Sequence, residues 1–405
     1  MASSSEEAST QAHEAHEASD TARAPSFPPH QSRRVWFLSS GNSPIGITLT
    51  RWLLDHGDAV VCGMAPSELP DKDEWQRHSG TQDDSRDTTN GHAAPGNDKP
   101  DPRSARSDEF RNFLYDELAQ REDWKGRYRF VLLDMRTMGQ CQAAVAEAVQ
   151  AFGRIDVLLC CTSESLVGTV EELGASSRAT TLVRDQFETN FFGPVNIIKA
   201  LLPSFRAQLS GHVIILGGIT GQLGAPGLSM YCASGWALEG FCDSLAYEVA
   251  PFNIKVTIVQ TNLEINVLTN RIRAVPPLPP YDPEFNPVPM SREFLGGMIE
   301  RVEAMLGQEN VGPAQLASSQ GISSFYPRLP PAFQDALIAE TVYALLAIGG
   351  HENPPARHIV GHDGVASIKE RLKTVSEELE DFVEVSSAAD IVENPETGSI
   401  ARPDH

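Results

Sequence analysis

The stretch Ser229-Met230-Tyr231-Cys232-Ala233-Ser234-Gly235-Trp236-Ala237-Leu238-Glu239-Gly240 reads as the start of a helix. Tyr231 and Gly235 stand one turn apart in it, at the i, i+4 spacing that stacks two residues on one face. Apolar runs flank this helix: Val213-Ile214-Ile215-Leu216 before it and Val256-Thr257-Ile258-Val259 after it. Working outward, the same kind of run recurs at Val35-Trp36-Phe37-Leu38, Ala59-Val60-Val61-Cys62, Phe130-Val131-Leu132-Leu133 and Val157-Leu158-Leu159-Cys160, each followed by a helical pattern. Fully apolar strands alternating with amphipathic helices indicate a parallel sheet covered on both faces. A seventh short strand near His358-Ile359-Val360 completes an α/β, doubly wound sheet.

Other segments break that rhythm. Residues 1–32 are rich in Ser, Ala, Glu, His and Pro without periodicity and are expected to be a disordered tail, and 391–405 a flexible one. Between the second and third strands, residues 67–107 are polar and punctuated by Gly and Pro. They are expected to form a mobile insertion, with Trp75 packed on the surface, that protease cuts while the flanking halves stay associated. The proline cluster within 274–290 (P-P-L-P-P-Y-D-P-E-F-N-P-V-P at 276–289) follows the sixth strand and suits a stiff substrate-covering loop better than a polyproline ligand. Ile368, Leu372, Val375, Leu379 and Phe382 form one stripe on the last helix, expected to dock onto its own domain. A single domain over 33–390 follows.

The formal net charge of −22 disfavours nucleic acid and anionic membrane surfaces as partners. The acidic excess gathers at the two ends of the chain, as a solvated envelope would. None of the six cysteines shows C-x-x-C spacing or a companion histidine pattern, so no metal is expected. Cys160-Cys161 reads as buried strand filler, since adjacent strand residues face opposite sides. The N-terminal sequence lacks the apolar core of a signal peptide, and no apolar run is expected to approach the ~20 residues of a bilayer span. A reduced, cytoplasmic protein without a membrane partner is expected.

Several motifs resemble the short-chain dehydrogenase/reductase family, in the branch of hydroxysteroid- and retinol-type dehydrogenases. The helix at 229–240 is similar to the family's catalytic helix with its Y-x-x-x-K signature, Tyr231 standing at the tyrosine. V-W-F-L-S-S-G-N-S-P-I-G-I-T-L-T-R-W-L-L resembles its strand, glycine loop and helix. Asp134 in L-D-M-R-T matches the aspartate that contacts adenine, and Asn190 in F-E-T-N-F-F-G matches the catalytic-site asparagine. The resemblance covers residues 33 to about 390, interrupted by the insertion. It implies a Rossmann-type fold, an NAD(P) cofactor and hydride transfer. Tyr231 and Asn190 are then the catalytic candidates, and Ser39, Ser40, Gly46 and Asp134 the cofactor-binding ones.

The departures cluster where cofactor and substrate would meet. The three glycines of the loop fall on Ser40, Pro44 and Gly46, of which only the helix-packing glycine is kept. Pro44 suits the first helical position but has no N–H to aim at a phosphate. G-M-A-P follows the second strand, with neither an acid for a ribose hydroxyl nor an arginine for a 2′-phosphate. The N-N-A-G phrase reads Cys160-Cys161-Thr162-Ser163, and P-G reads Thr261-Asn262. The family tetrad becomes Asn190, Gly218, Tyr231 and Gly235. Moving a tyrosine from its ordinary pKa of ~10 to near neutrality takes ~4 kcal/mol, and Gly235 supplies no charge toward it. Thr220, Ser229 and Ser234 are nearby hydroxyls.

Three function classes remain open: a non-catalytic binding or regulatory descendant, an active NAD(P)-dependent oxidoreductase with a rearranged site, and a non-redox enzyme using the same pocket. The number of losses favours the first and predicts weak or absent NAD(P) binding. The partner would be an unknown small molecule or protein. A homo-oligomer is expected, paired through Phe191, Val195, Ile198, Leu238, Phe241 and Leu245 unless these cover the sheet instead.

Overall fold

A computed structural model of the chain describes residues 32–68, 109–282, 284–306, 316, 321–387, 392–393 and 400–401. Their order is β1 (Val35–Leu38), α1 (Pro44–Asp55), β2 (Ala59–Met64), β3 (Tyr128–Leu132), α2 (Met138–Phe152), β4 (Val157–Cys160), β5 (Glu164–Val167), α3 (Val170–Gly174), α4 (Ser177–Phe187), α5 (Gly193–Gln208), β6 (Gly211–Gly218), α6 (Ser229–Val249), β7 (Ile254–Thr261), α7 (Leu263–Leu268), β8 (Arg271–Ala274), α8 (Ser291–Leu306), β9 (Ser323–Phe325), α9 (Pro331–Gly349), β10 (Arg357–Ile359), α10 (His362–Asp381), α11 (Val383–Ser387), β11 (Val392–Glu393) and β12 (Ile400–Ala401).

Seven parallel strands form the main sheet in the order β10-β7-β6-β4-β1-β2-β3. The runs read as strands from their apolar character all lie in it, because a strand buried on both faces has no polar side to show. On one face α2, α5 and α6 cover it with Val145, Ala148, Ile198, Leu201, Phe205, Leu238 and Leu245. Ile198, Leu238 and Leu245 thus cover the sheet rather than present a pairing face, and Phe191 and Phe241 pack against the same core. On the other face α9 lies beside α1. Gly349 makes room there for Trp36, whose ring would stand 2.0 Å from any Cβ at 349.

Against the expectation that no apolar run is long enough, α9 has the length and composition of a bilayer span. Its Ile338, Thr341, Val342 and Leu345 are buried in the protein, as in a core helix.

A second, three-stranded sheet was not legible as a sheet in the sequence. β5 pairs with β8 in parallel and β8 with β9 antiparallel. The proline-rich segment leaves β8 and is tied down by Glu172 of α3. Its carboxylate accepts the Leu278 N–H at 2.9 Å and both Nη groups of Arg292 at 3.1 Å, while Arg292 also reaches the Val275 carbonyl.

Only the start of α10 docks as expected. Gly364 packs so closely on Asn262 that a Cβ would lie 2.9 Å from its Oδ1, and Ile368 is buried. Leu372, Leu379 and Phe382 are exposed, because the helix is held at its first turns alone. The expected tail 1–32 and insertion 67–107 with Trp75 lie outside the described residues, apart from Ser32, Ser67 and Glu68. Within 391–405, expected to be a flexible tail, Val392 and Glu393 pair antiparallel with Ala401 and Ile400.

Candidate active site

The strand order reverses between β1 and β4, and ligands of doubly wound sheets sit at the carboxyl ends of the strands flanking such a switch point. A cleft of about 100 Å³ opens there. Ser39 and Ser40 enter it after β1, Glu68 after β2, Asp134 after β3, and Thr162 and Ser163 after β4. A second cleft of about 50 Å³ adjoins Tyr231, Ser234, Gly218 and Asn190. Ser163 and Thr162 border both. None of residues 276–289 lines either cleft, so a covering role for the proline-rich loop gains no support.

The turn after β1 is packed inward. Ser43 caps α1, its Oγ accepting the Gly46 N–H at 3.0 Å, and Pro44 takes the first helical position. Gly46 lets the helix pass the end of β1, since a Cβ there would meet the Ser40 carbonyl at 2.2 Å. The amides of Gly41 and Ser43 are spent on the carbonyls of Gly63 and Ser40. Ser39 Oγ accepts the Cys161 N–H at 2.9 Å and lies 2.9 Å from Thr162 Oγ1, so it joins β1 to β4. Asn42 donates to Glu68 at 2.9 Å, and the other oxygen of Glu68 accepts from Tyr326. Glu68, which the sequence assigned to the insertion, belongs to a short turn over Pro66–Glu68 that borders the cleft.

A pyrophosphate does not fit this turn as it stands. The amides of Ser39, Gly41, Ser43 and Gly46 are spent inside the protein, Pro44 has none to offer, and the Glu68 carboxylate lines the same cleft. At the far end Asp134 is engaged by Arg136 at 2.7 and 2.8 Å, which holds its carboxyl below the ordinary range.

Around Tyr231 the substitutions are accommodated by packing. The phenol is buried, and burial pushes its pKa above 10, only partly opposed by hydrogen bonding to Ser163. A Cβ on Gly235 would stand 3.3 Å from Gly221 Cα, so the backbone of the turn Ile219–Gly221 closes on the lysine position. At Gly218 a Cβ would lie 2.9 Å from Asn266 Nδ2 and 3.0 Å from Thr220 Oγ1. Asn266, not singled out by its sequence, bonds Gly217 O and Thr261 Oγ1 and fills this corner.

Asn190 sits in a π-helical turn over Glu188–Phe192. It accepts the Glu164 N–H and donates to the Glu164 carbonyl, both at 2.9 Å, so it pins the start of β5 by its backbone. Ser234 is buried against the same group, its Oγ donating to Tyr231 O at 2.7 Å. The Ser229 hydroxyl is buried without a partner among the described residues.

The cleft also gathers charges that no local pattern announced. Arg271 and Arg273 of β8 face it together with Glu164. Arg273 forms an ion pair with Glu164 and lies 3.7 Å from Asp185. Burial raises the Glu164 carboxyl, opposed by Arg273 and Arg271. Alternation along β5 and β8 carries such a signal only once their pairing is known.

The family model described as short chain dehydrogenase matches residues 104–270, including β4, β6, β7, Asn190 and Tyr231. Over that segment the chain resembles the short-chain dehydrogenase/reductase family. It is 38% identical over 144 residues to the mouse dehydrogenase/reductase SDR family member 7B, a match covering 34% of this chain and 43% of that protein. The oxidoreductase BOA17 of Botryotinia fuckeliana (strain B05.10) is 27% identical over 259 residues, covering 64% of this chain and 80% of the relative. In fold, this chain is similar to the crystal structure of a short-chain dehydrogenase from Streptomyces avermitilis, with a TM-score of 0.57 at 23% identity over 89% of this chain and 99% of that one.

Proposed function

We propose that this chain is a non-catalytic descendant of the short-chain dehydrogenase/reductase family that serves as a binding or regulatory protein. The observation that carries this reading is the setting of Tyr231. An acid–base tyrosine needs a pKa near the working pH, and here burial drives it the other way with glycine at both the lysine and serine positions. At ~1.4 kcal/mol per unit, the missing stabilisation exceeds the ~4 kcal/mol that a free phenol would need. Weak or absent NAD(P) binding is supported by the inward amides of the Ser39–Gly46 turn and by Glu68 beside it.

An active NAD(P)-dependent oxidoreductase with a rearranged site is the second reading, favoured by the names of the relatives, an oxidoreductase and a dehydrogenase/reductase. Calorimetric titration with NADH and NADPH separates the two, joined to a turnover assay across a panel of carbonyl compounds. Saturable low-micromolar binding with turnover would establish the second and remove the first. We also propose a cytoplasmic homo-oligomer acting on a small-molecule or protein partner. A monomeric mass by light scattering at micromolar concentration would count against self-association.

A further inference from the structure

We propose that the larger cleft is a binding site for a small oxyanion, a carboxylate or a phosphate group, gripped by the guanidinium of Arg271. This deepens the reading above and rests on it in one respect, that the cleft takes something other than a whole dinucleotide.

Three guanidinium groups face the cleft, and two are already engaged. Arg136 is held by Asp134, and Arg273 by Glu164 with Asp185. Arg271 makes no hydrogen bond or ion pair with any described side chain, and its Nε is buried without a partner. Its ring contact is with Tyr326, 5.8 Å from the centroid. The nearby acids are occupied elsewhere: Glu68 by Asn42 and Tyr326, Glu164 by Arg273.

The placement of Arg271 is built rather than incidental. Its backbone is in register with Glu164 across the β5–β8 pair, and residues two apart on a strand share a face, so Arg271 and Arg273 enter the cleft together. Arg271 is half-buried: its Nε–H is withdrawn from water without a partner, which costs free energy and calls for an explanation. Its planar fork matches a carboxylate or phosphate with two parallel hydrogen bonds. Ser163 and Asn270 also line the cleft, the Asn270 Nδ2 being committed to the Asn266 carbonyl at 2.9 Å. Size fixes the class of ligand further. Drug-sized ligands occupy pockets of roughly 300–1,000 Å³, so about 100 Å³ suits one acidic group with few atoms attached.

The test is isothermal titration of the full chain at low salt with inorganic phosphate, citrate, AMP, NADH and NADPH. At least one of the first three should bind with one-to-one stoichiometry. Arg271→Gln should weaken it at least about tenfold, as expected for hydrogen bonds to a charged group, and Arg271→Lys by an intermediate factor through loss of the fork. Arg136→Gln, in the same cleft but committed to Asp134, should change affinity less than about threefold. The lysine variant keeps the charge and guards against a glutamine variant that fails to fold. Failure of all three probes to bind, or equal binding by wild type and both Arg271 variants, overturns the site.

The dinucleotide arms separate the two conclusions. Tight NADH or NADPH binding that is lost in Arg271→Gln removes the proposed function and the size limit but keeps the anion anchor. Tight binding unaffected by the variant removes both.

Discussion

Gly235 rests on Gly221: a Cβ at 235 would stand 3.3 Å from the Gly221 Cα and 3.5 Å from its nitrogen. Gly221 is confined in turn, since a Cβ there would lie 2.5 Å from Glu239 Oε1. Glu239 is fixed by Gln260 and by Arg357, which bonds it at 3.0 Å. The place where the family's lysine would begin is therefore closed by backbone, and that backbone is wedged by a buried polar network. Loss of the lysine and approach of the turn are two sides of one packing arrangement.

Gly235→Lys tests this directly. Lysine is the better helix former by up to ~1 kcal/mol, but the turn Ile219–Gly221 must retreat by a few tenths of an ångström to admit it. We expect a folded variant, destabilised by less than about 2 kcal/mol, in which the Tyr231 pKa falls measurably by ultraviolet titration. Combined with Gly218→Ser, it should still give no appreciable dehydrogenase turnover, because the Ser39–Gly46 turn is unchanged. Robust NAD(P)H oxidation by the double variant would contradict the non-catalytic reading.

Glu172 should matter more to stability than any other acid near the small sheet. Its side chain is fully buried against Arg292, which is itself 13% exposed. Removing one partner of a buried pair costs about 3–5 kcal/mol, so Glu172→Ala should lower the urea midpoint sharply and free the 276–289 segment to protease. Burial pushes its carboxyl up, but Arg292 and the amides of Thr169 and Leu278 outweigh that and hold it below its ordinary value of 4.5. Its contribution is thus full above that value and fades as pH falls through the lower folded one. An alanine variant with wild-type stability would refute this role.

The main sheet was legible because its inner strands β1, β2, β4, β6 and β7 are buried on both faces and announce themselves as apolar runs. Tyr231, Asn190, Asp134 and Gly46 were legible because motif order carries them. The small sheet was not: Arg271-Ile272-Arg273-Ala274 and Glu164-Ser165-Leu166-Val167 alternate weakly, and their pairing joins segments far apart in sequence. Tyr326 reaches Arg271 through the β8–β9 pairing, and Glu68 joins them through its hydrogen bond from Tyr326. The closeness of Gly221 to Gly235 is a tertiary distance that no spacing encodes.

The six cysteines should behave as inert core residues. All are buried and free. Burial pushes the thiols of Cys62 and Cys242 up to about 12 and that of Cys141 up to about 11, and it raises those of Cys160 and Cys232 as well. The thiolate is the reactive form. Ellman's reagent at pH 8 should label the native protein slowly and all six groups at once in guanidinium chloride. Rapid labelling of the native state at Cys160 or Cys161 would revive a reactive-thiol role beside the clefts.

His212 gives the fold a defined sensitivity to mild acid. It lies in β6 next to β7, 2.9 Å from Thr257 Oγ1, and Thr257 in turn donates to the Pro355 carbonyl at 2.8 Å. Burial, with Lys255 and Arg34 adding repulsion, pushes its pKa down to about 3 from an ordinary 6.5. Between those values the unfolded chain binds a proton that the folded chain refuses, so stability falls as pH drops below 6.5 and is unaffected above it. The slope contributed by this residue approaches ~1.4 kcal/mol per pH unit. Burial also raises the Glu164 and Glu239 carboxyls and lowers His358, so the share of His212 is read from the difference between the wild type and a variant that lacks it. Urea unfolding across that window should show the slope in the wild type and a markedly flatter line in His212→Gln. Parallel lines would mean that His212 is protonated in the native state, and that its bond to Thr257 is not the neutral one inferred from its burial.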